Sequence, residues 1–126
     1  MRLIFLGDVV GKSGRDAVAR ELPLLRERFK PDIVVVNGEN AAHGFGISQD
    51  IHQKLLGCGA DVVTLGNHAF DQRETLVFIE REPNLIRPLN WPAGCPGRGT
   101  CMVETAKGQR VLVMNAMGRV MIEPML

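Results

Sequence analysis

Residues 33–40 read IVVVNGEN, four β-branched apolar residues followed by Asn, Gly, Glu and Asn. A continuous apolar run of this kind predicts a strand that is buried on both faces of a parallel sheet. Similar short apolar runs lie at residues 3–6, 61–65 and 111–114. Helical patterns separate the first three runs, at residues 16–29 and 49–56. The order β-α-β-α-β predicts an α/β fold.

Several residues indicate where these elements begin, bend and end. Pro23 lies inside the first helical pattern and is expected to kink or restart that helix. Ser48 is the expected N-cap of the second helix. A third helix is predicted after Asp71 and Glu74, whose spacing is that of a capping box. Residues 83–100 are rich in Pro, Gly, Asn and Arg and predict a long loop before a short strand pair.

Length and composition indicate one domain without a strongly charged surface. The chain has 126 residues, of which 45% are hydrophobic and 23% charged, and its net charge is +1. These values argue against disorder and give no reason to expect nucleic-acid binding from charge alone. The three cysteines show no disulfide or metal-site spacing. We therefore expect free thiols. No apolar run has the length of a signal peptide or a membrane span, so we also expect a cytoplasmic location and no membrane partner.

Polar residues follow the first three predicted strands, where the carboxyl ends of parallel strands share one edge of the sheet. Asp8 follows the first strand, Glu39 and Asn40 the second, and Asn67 and His68 the third. Oxygen donors with one imidazole nearby suit divalent ions such as Mn, Fe(II) or Mg. The pattern therefore predicts a metal site at this edge.

Taken singly, some of these residues have simpler interpretations. Asp8 and Asn67 are common residues in turns and at helix caps. Glu39 is harder to explain in this way, because a carboxylate next to a buried strand costs free energy of desolvation unless a cation pairs with it. The joint occurrence of all three loops favours the metal site.

The motifs in these loops resemble those of a known superfamily. They are GDVVG at 7–11, NGENAAHG at 37–44 and GNHAFD at 66–71, with RPLNWP at 87–92 and Pro96-Gly97 further on. Together they resemble the calcineurin-like metallophosphoesterases, and within them the bacterial YmdB-like 2′,3′-cyclic-nucleotide phosphodiesterases. The resemblance covers essentially the whole chain. It implies the first half of a two-sheet αββα sandwich.

The resemblance also implies a role for each candidate residue. Asp8 would bind one metal ion, Glu39 would bridge two, and Asn40 and Asn67 would bind the second. His68 would be the proton donor. The ions implied are two divalent metals, Fe or Mn, with Mg as a further possibility. The implied activity is hydrolysis of a phosphodiester, such as a 2′,3′-cyclic nucleotide, by a hydroxide that bridges the two metals.

The sequence departs from the superfamily pattern in two ways. Val10 stands where the wider superfamily has a histidine, and Glu39 replaces a bridging aspartate. Family members also continue for about as long again, and their second half carries histidines that complete both metal sites. His43 is expected to line the substrate cleft, whereas His52, in the middle of a helix, is expected to be a surface residue.

The resemblance therefore presents residues 1–126 as a single metallophosphoesterase domain truncated at its carboxyl end. We expect this chain alone to be nearly inactive, with weak binding of Mg or Mn. We also expect an exposed apolar face that pairs with the missing half or with a second copy of the chain, or that aggregates.

Two alternatives belong to other functional classes. The segment from Gly7 to Ser13 is similar to a phosphate-binding loop, but it has three residues between its glycines where that motif needs four. The second alternative is a non-catalytic domain left by truncation that binds a nucleotide or a protein.

Overall fold

The computed structural model describes residues 1–120. Four parallel strands form one sheet in the order β1-β2-β3-β4, and two antiparallel strands form a second, smaller sheet. The strands are β1 (Leu3–Leu6), β2 (Ile33–Asn37), β3 (Val62–Thr64), β4 (Leu85–Ile86), β5 (Thr100–Glu104) and β6 (Arg110–Met114). The helices are α1 (Gly11–Phe29), α2 (Gln49–Cys58) and the single turn α3 (Thr75–Phe78), which a 3₁₀ turn at Ile79–Arg81 extends.

Alternate residues of β2 face opposite layers of the fold. Val34 and Val36 pack in the core on the helical side, which also contains Leu22 of α1 and Leu55 of α2. Ile33, Val35, Val62 and Ile86 pack on the other side against residues of the hairpin β5–β6. Burying one such side chain fully is worth about 1.5–3 kcal/mol. The result is a layer of helices, a parallel sheet and the start of a second sheet, which confirms the α/β prediction.

Among residues 1–120, the hairpin leaves one edge of the parallel sheet uncovered. Leu3 and Phe5 of β1 are 51% and 56% exposed, and Leu112 and Met114 of β6 are 51% and 64% exposed. Between β1 and β6 runs a groove of about 430 Å³, which is lined by residues of both strands and by Val35. The apolar face expected from the sequence is therefore present.

Helix α1 starts earlier than predicted and does not restart at its proline. It begins at Gly11 rather than at residue 16, and it continues through Pro23 without a restart. Pro23 and Ala19, whose carbonyl the proline leaves without its usual donor, both lie on the exposed face of the helix. Water can satisfy that carbonyl, so the helix tolerates the proline.

The second and third helical predictions had different outcomes. Ser48 Oγ accepts a hydrogen bond from the Ile51 amide at 3.2 Å, which confirms the N-cap of α2. The capping box predicted from Asp71 and Glu74 is wrong, because α3 begins only at Thr75 and neither side chain caps it. The predicted loop at 83–100 contains β4, a strand too short to show a pattern in the sequence.

His52 is not the surface residue that the sequence predicted. Its side chain is fully buried in α2, with Nε2 3.4 Å from Glu82 Oε2 and its ring stacked 6.5 Å from that of Phe78. Burial lowers the pKa of His52, although the Glu82 carboxylate opposes that shift.

In residues 1–120, no helix combines the length and apolar character needed to cross a membrane.

Candidate functional site

Backbone hydrogen bonds hold the loops after β1, β2 and β3 together at one edge of the sheet. The Val9 amide donates to the Asn37 carbonyl at 3.1 Å, and the Gly11 amide donates to the Asn40 carbonyl at 3.0 Å. The Gly38 amide donates to the Thr64 carbonyl at 2.9 Å. Because these bonds join all three loops, the predicted site residues are brought to a common edge.

Asp8 and Asn40 are in direct contact across the first two loops. Asn40 Nδ2 donates a hydrogen bond to Asp8 Oδ1 over 2.8 Å, although the residues are 32 positions apart in sequence. Asp8 is exposed to solvent and Asn40 is half-buried. The bond leaves one carboxylate oxygen of Asp8 and the amide oxygen of Asn40 available to a ligand.

Glu39 lies between the second and third loops. Its carboxylate rests against Gly66, where an added Cβ would be only 1.9 Å from Oε2. This oxygen is buried and has no hydrogen-bond partner among residues 1–120. A buried carboxylate oxygen without a partner is costly, and a cation is the usual compensation. The site therefore has a place for positive charge at Glu39.

His68 follows Asn67 in the third loop and is half-buried. Its Nδ1 lies 2.6 Å from Asp71 Oδ2, three residues further along the same turn. This contact fixes the orientation of the imidazole and directs Nε2 away from Asp71. Sequence reasoning assigned Asp71 to a helix cap. The spacing H-x-x-D within a glycine-containing loop was the signal that could have identified it.

The loop at 39–46 folds back onto the loop that carries His68. The Gly46 amide donates to the Glu39 carbonyl at 2.7 Å. At Gly46, φ is +75° and an added Cβ would be 2.8 Å from the His68 carbonyl oxygen, so glycine is needed for this close approach. His43, exposed and at φ +56°, is on the same loop. That it lines the substrate cleft stays a prediction.

Two side chains outside the predicted set brace these loops. Arg15 of α1 donates to the Ala41 carbonyl at 2.6 Å. Asn115, just after β6, donates to the Leu65 carbonyl at 2.6 Å and so connects the second sheet to the third loop. Neither contact is visible in the sequence, because each joins residues that are far apart along the chain.

The phosphate-loop alternative gains no support from Lys12. Its Nζ lies 2.6 Å from Asp16 Oδ2, one turn along the exposed face of α1. The hydrogen bond from Lys12 lowers the pKa of the Asp16 carboxyl group. The lysine that such a loop would need for a phosphate is thus paired within its own helix.

The donor set suits a hard divalent ion but is only part of a coordination shell. Asp8 and Glu39 offer carboxylate oxygens, and Asn40 and Asn67 offer amide oxygens. Within the described residues 1–120, no group of three or more His, Cys, Asp and Glu side chains is placed to hold a metal ion. The Glu39 oxygen that has no partner within residues 1–120 fits a cation, and further donors would have to come from outside these residues.

The fold is shared with two solved structures. A protein from Thermus thermophilus, described as hypothetical, superimposes with a TM-score of 0.90 at 42% identity over 98% of this chain and 48% of its own. A protein from Mycoplasma pneumoniae, described as a novel phosphatase, superimposes with a TM-score of 0.86 at 34% identity over 98% of this chain and 45% of its own. The chain therefore shares the fold of these two proteins over about half the length of each.

Sequence comparison places the chain in a family. Residues 4–126 match the family described as YmdB-like protein, and the chain belongs to that family. A relative from Bacillus subtilis (strain 168), named 2′,3′-cyclic-nucleotide 2′-phosphodiesterase, is 46% identical over 125 residues, which are 99% of this chain and 47% of the relative. The chain thus spans about half the length of the relatives it matches. The resemblance identified from the loop motifs is confirmed.

Proposed function

We propose that this chain supplies the amino-terminal half of the active site of a phosphodiesterase that hydrolyses 2′,3′-cyclic nucleotides. The observation that carries the proposal is Oε2 of Glu39, which is buried where loops from three parallel strands meet and has no hydrogen-bond partner in residues 1–120. A free carboxylate oxygen at that position is costly without a cation. The name of the Bacillus subtilis relative supports the choice of substrate class.

Two divalent metal ions, Fe or Mn, are the proposed cofactors. Glu39 would bridge them, Asp8 would hold one, and Asn40 and Asn67 would hold the other through their amide oxygens. When bound, the ions would supply Lewis-acid stabilisation of the phosphoryl oxygens and lower the pKa of a bound water. Asn40 also donates to Asp8, so the same side chain orients a neighbouring carboxylate.

His68 is the proposed proton donor. Asp71 holds Nδ1, which leaves Nε2 to deliver a proton to the ribose oxygen as the P–O bond breaks. The gain is expected to be largest for a poor leaving group such as a ribose hydroxyl. Asn67 is a neutral side chain, so it adds no negative charge of its own beside His68 that would repel a phosphate.

Substitution of His68 tests the proposal in the protein extended to the length of its relatives. His68→Ala should lower turnover of 2′,3′-cyclic AMP by about 10²–10⁴-fold while metal content stays normal. Turnover of bis(4-nitrophenyl) phosphate should fall far less, because nitrophenolate leaves without protonation. An equal loss on both substrates would show that His68 positions the phosphate or a metal and does not donate the proton.

A further inference from the structure

Phe45 presents an exposed aromatic ring at the rim of the candidate site. It is 59% exposed, more than most of the large apolar side chains of the sheet and helices. Its ring centroid lies 6.0 Å from that of His68, and the two rings are nearly perpendicular, at 86°. The phenyl ring thus stands beside the proposed proton donor without stacking on it.

The exposure of Phe45 does not come from a loosely held backbone. The Phe45 amide donates to the Ala42 carbonyl at 3.0 Å, and Gln72 Nε2 donates to the Phe45 carbonyl at 2.7 Å. The next residue, Gly46, is buried against the His68 carbonyl. Both backbone polar groups of Phe45 are therefore satisfied, and the loop holds the Phe45 backbone in place next to the site. A phenylalanine side chain on a fixed backbone has only two χ angles, so it loses little conformational entropy when a flat ligand binds.

We infer that Phe45 is the stacking platform for the nucleobase of the substrate, an inference that rests on the proposed function. In a 2′,3′-cyclic nucleotide the base is attached to C1′, the carbon next to the one that bears a cyclic phosphate oxygen. A base is therefore close to any group that protonates a leaving ribose oxygen, and Phe45 is the aromatic neighbour of His68. Stacking uses the π face that every base has, so Phe45 favours nucleosides over simple phosphodiesters without selecting one base.

The test compares two cyclic phosphates that share a leaving group and differ only in the base. They are 2′,3′-cyclic AMP and methyl β-D-ribofuranoside 2,3-cyclic phosphate, assayed with the protein extended to the length of its relatives. Phe45→Ala should lower kcat/KM for 2′,3′-cyclic AMP by about tenfold to a hundredfold, mainly through KM, and leave the base-free substrate unchanged. Phe45→Leu should show a similar selective loss, whereas Phe45→Trp should retain activity.

Phe29→Ala is the matched control, because Phe29 is also a partly exposed phenylalanine but lies at the far end of α1. It should leave both substrates unaffected. An equal loss on both substrates in Phe45→Ala would overturn the inference and make Phe45 a residue that positions His68. No loss on either substrate would overturn it as well. If the unsubstituted protein hydrolysed neither cyclic phosphate, the proposed function would fail and the inference with it.

Discussion

Gly66→Ala should disable the site without unfolding the protein. Gly66 is buried, and its φ is not in the left-handed region, so alanine can adopt its backbone conformation. The added Cβ, however, would be 1.9 Å from Glu39 Oε2 and 2.5 Å from its Cδ. The Glu39 carboxylate would have to leave its position, and with it the proposed bridge between the two ions.

The size of the effect follows from these distances. Moving Oε2 from 1.9 Å to the 3.4 Å of ordinary contact is a displacement of about 1.5 Å. Misplacing a catalytic group by about 1 Å can cost about 10²-fold in rate, so we expect at least that loss of phosphodiesterase turnover. Metal content should fall as well, because the displaced carboxylate is the one proposed to contact both ions.

Gly7→Ala is the matched control at the same edge of the sheet. Gly7 precedes Asp8, and a Cβ there would meet no atom within 4 Å. Both variants should be compared with the unsubstituted protein, extended to the length of its relatives, for metal content, thermal midpoint and turnover. If Gly66→Ala kept full metal occupancy and turnover, Glu39 could not be the bridging ligand in the position described.

Three further expectations can be tested separately. Glu39→Ala should lose both ions, measured by elemental analysis, whereas Asp8→Ala should lose one, and full occupancy in Glu39→Ala would contradict the bridging role. His52→Phe should flatten the pH dependence of unfolding in urea. The lowered pKa of His52 means that the unfolded chain binds the proton more readily, so stability falls as pH drops below about 6.5, by up to about 1.4 kcal/mol per pH unit. An unchanged slope would show that His52 does not titrate on unfolding. Residues 1–126 alone should be nearly inactive and should associate or aggregate, and a monomer by light scattering that was also active in a phosphodiesterase assay with Mn would refute this.

The fold could be predicted largely from short-range patterns. The runs that became β1, β2 and β3 are apolar and end at Gly or Asn, and parallel strands bring such ends to one edge. The same rule placed Asp8, Glu39 and Asn67 on loops that the structure joins by hydrogen bonds. β4 was missed because two residues, Leu85 and Ile86, are too few to establish a period.

The errors arose where a tertiary contact decides the environment of a residue. His52 looked like a surface residue because its helix is otherwise amphipathic, and only the packing of Phe78 and Glu82 against it shows that it is buried. Asp71 was predicted to cap a helix, but its carboxylate instead contacts the His68 imidazole, with Oδ2 2.6 Å from Nδ1. That Glu39 Oε2 is buried without a hydrogen-bond partner in the described part of the chain is likewise a property of the assembled loops.

The groove between β1 and β6 lies next to the candidate metal site, whose oxygen donors form only part of a coordination shell. Asn37 and Thr64, the last residues of β2 and β3, line the groove, as does Asn115 after β6. These positions lie immediately beside the loops of the candidate site, and Asn115 is hydrogen-bonded to the third of them. A strand that paired with the free edge of β6 would cover Leu3 and Phe5, and its end would lie beside Glu39 and Asn67. In a protein of the relatives' length, we therefore expect one segment both to bury this apolar surface and to bring the further ligands that the proposed metal site needs, so that folding of the second sheet and assembly of the site occur together.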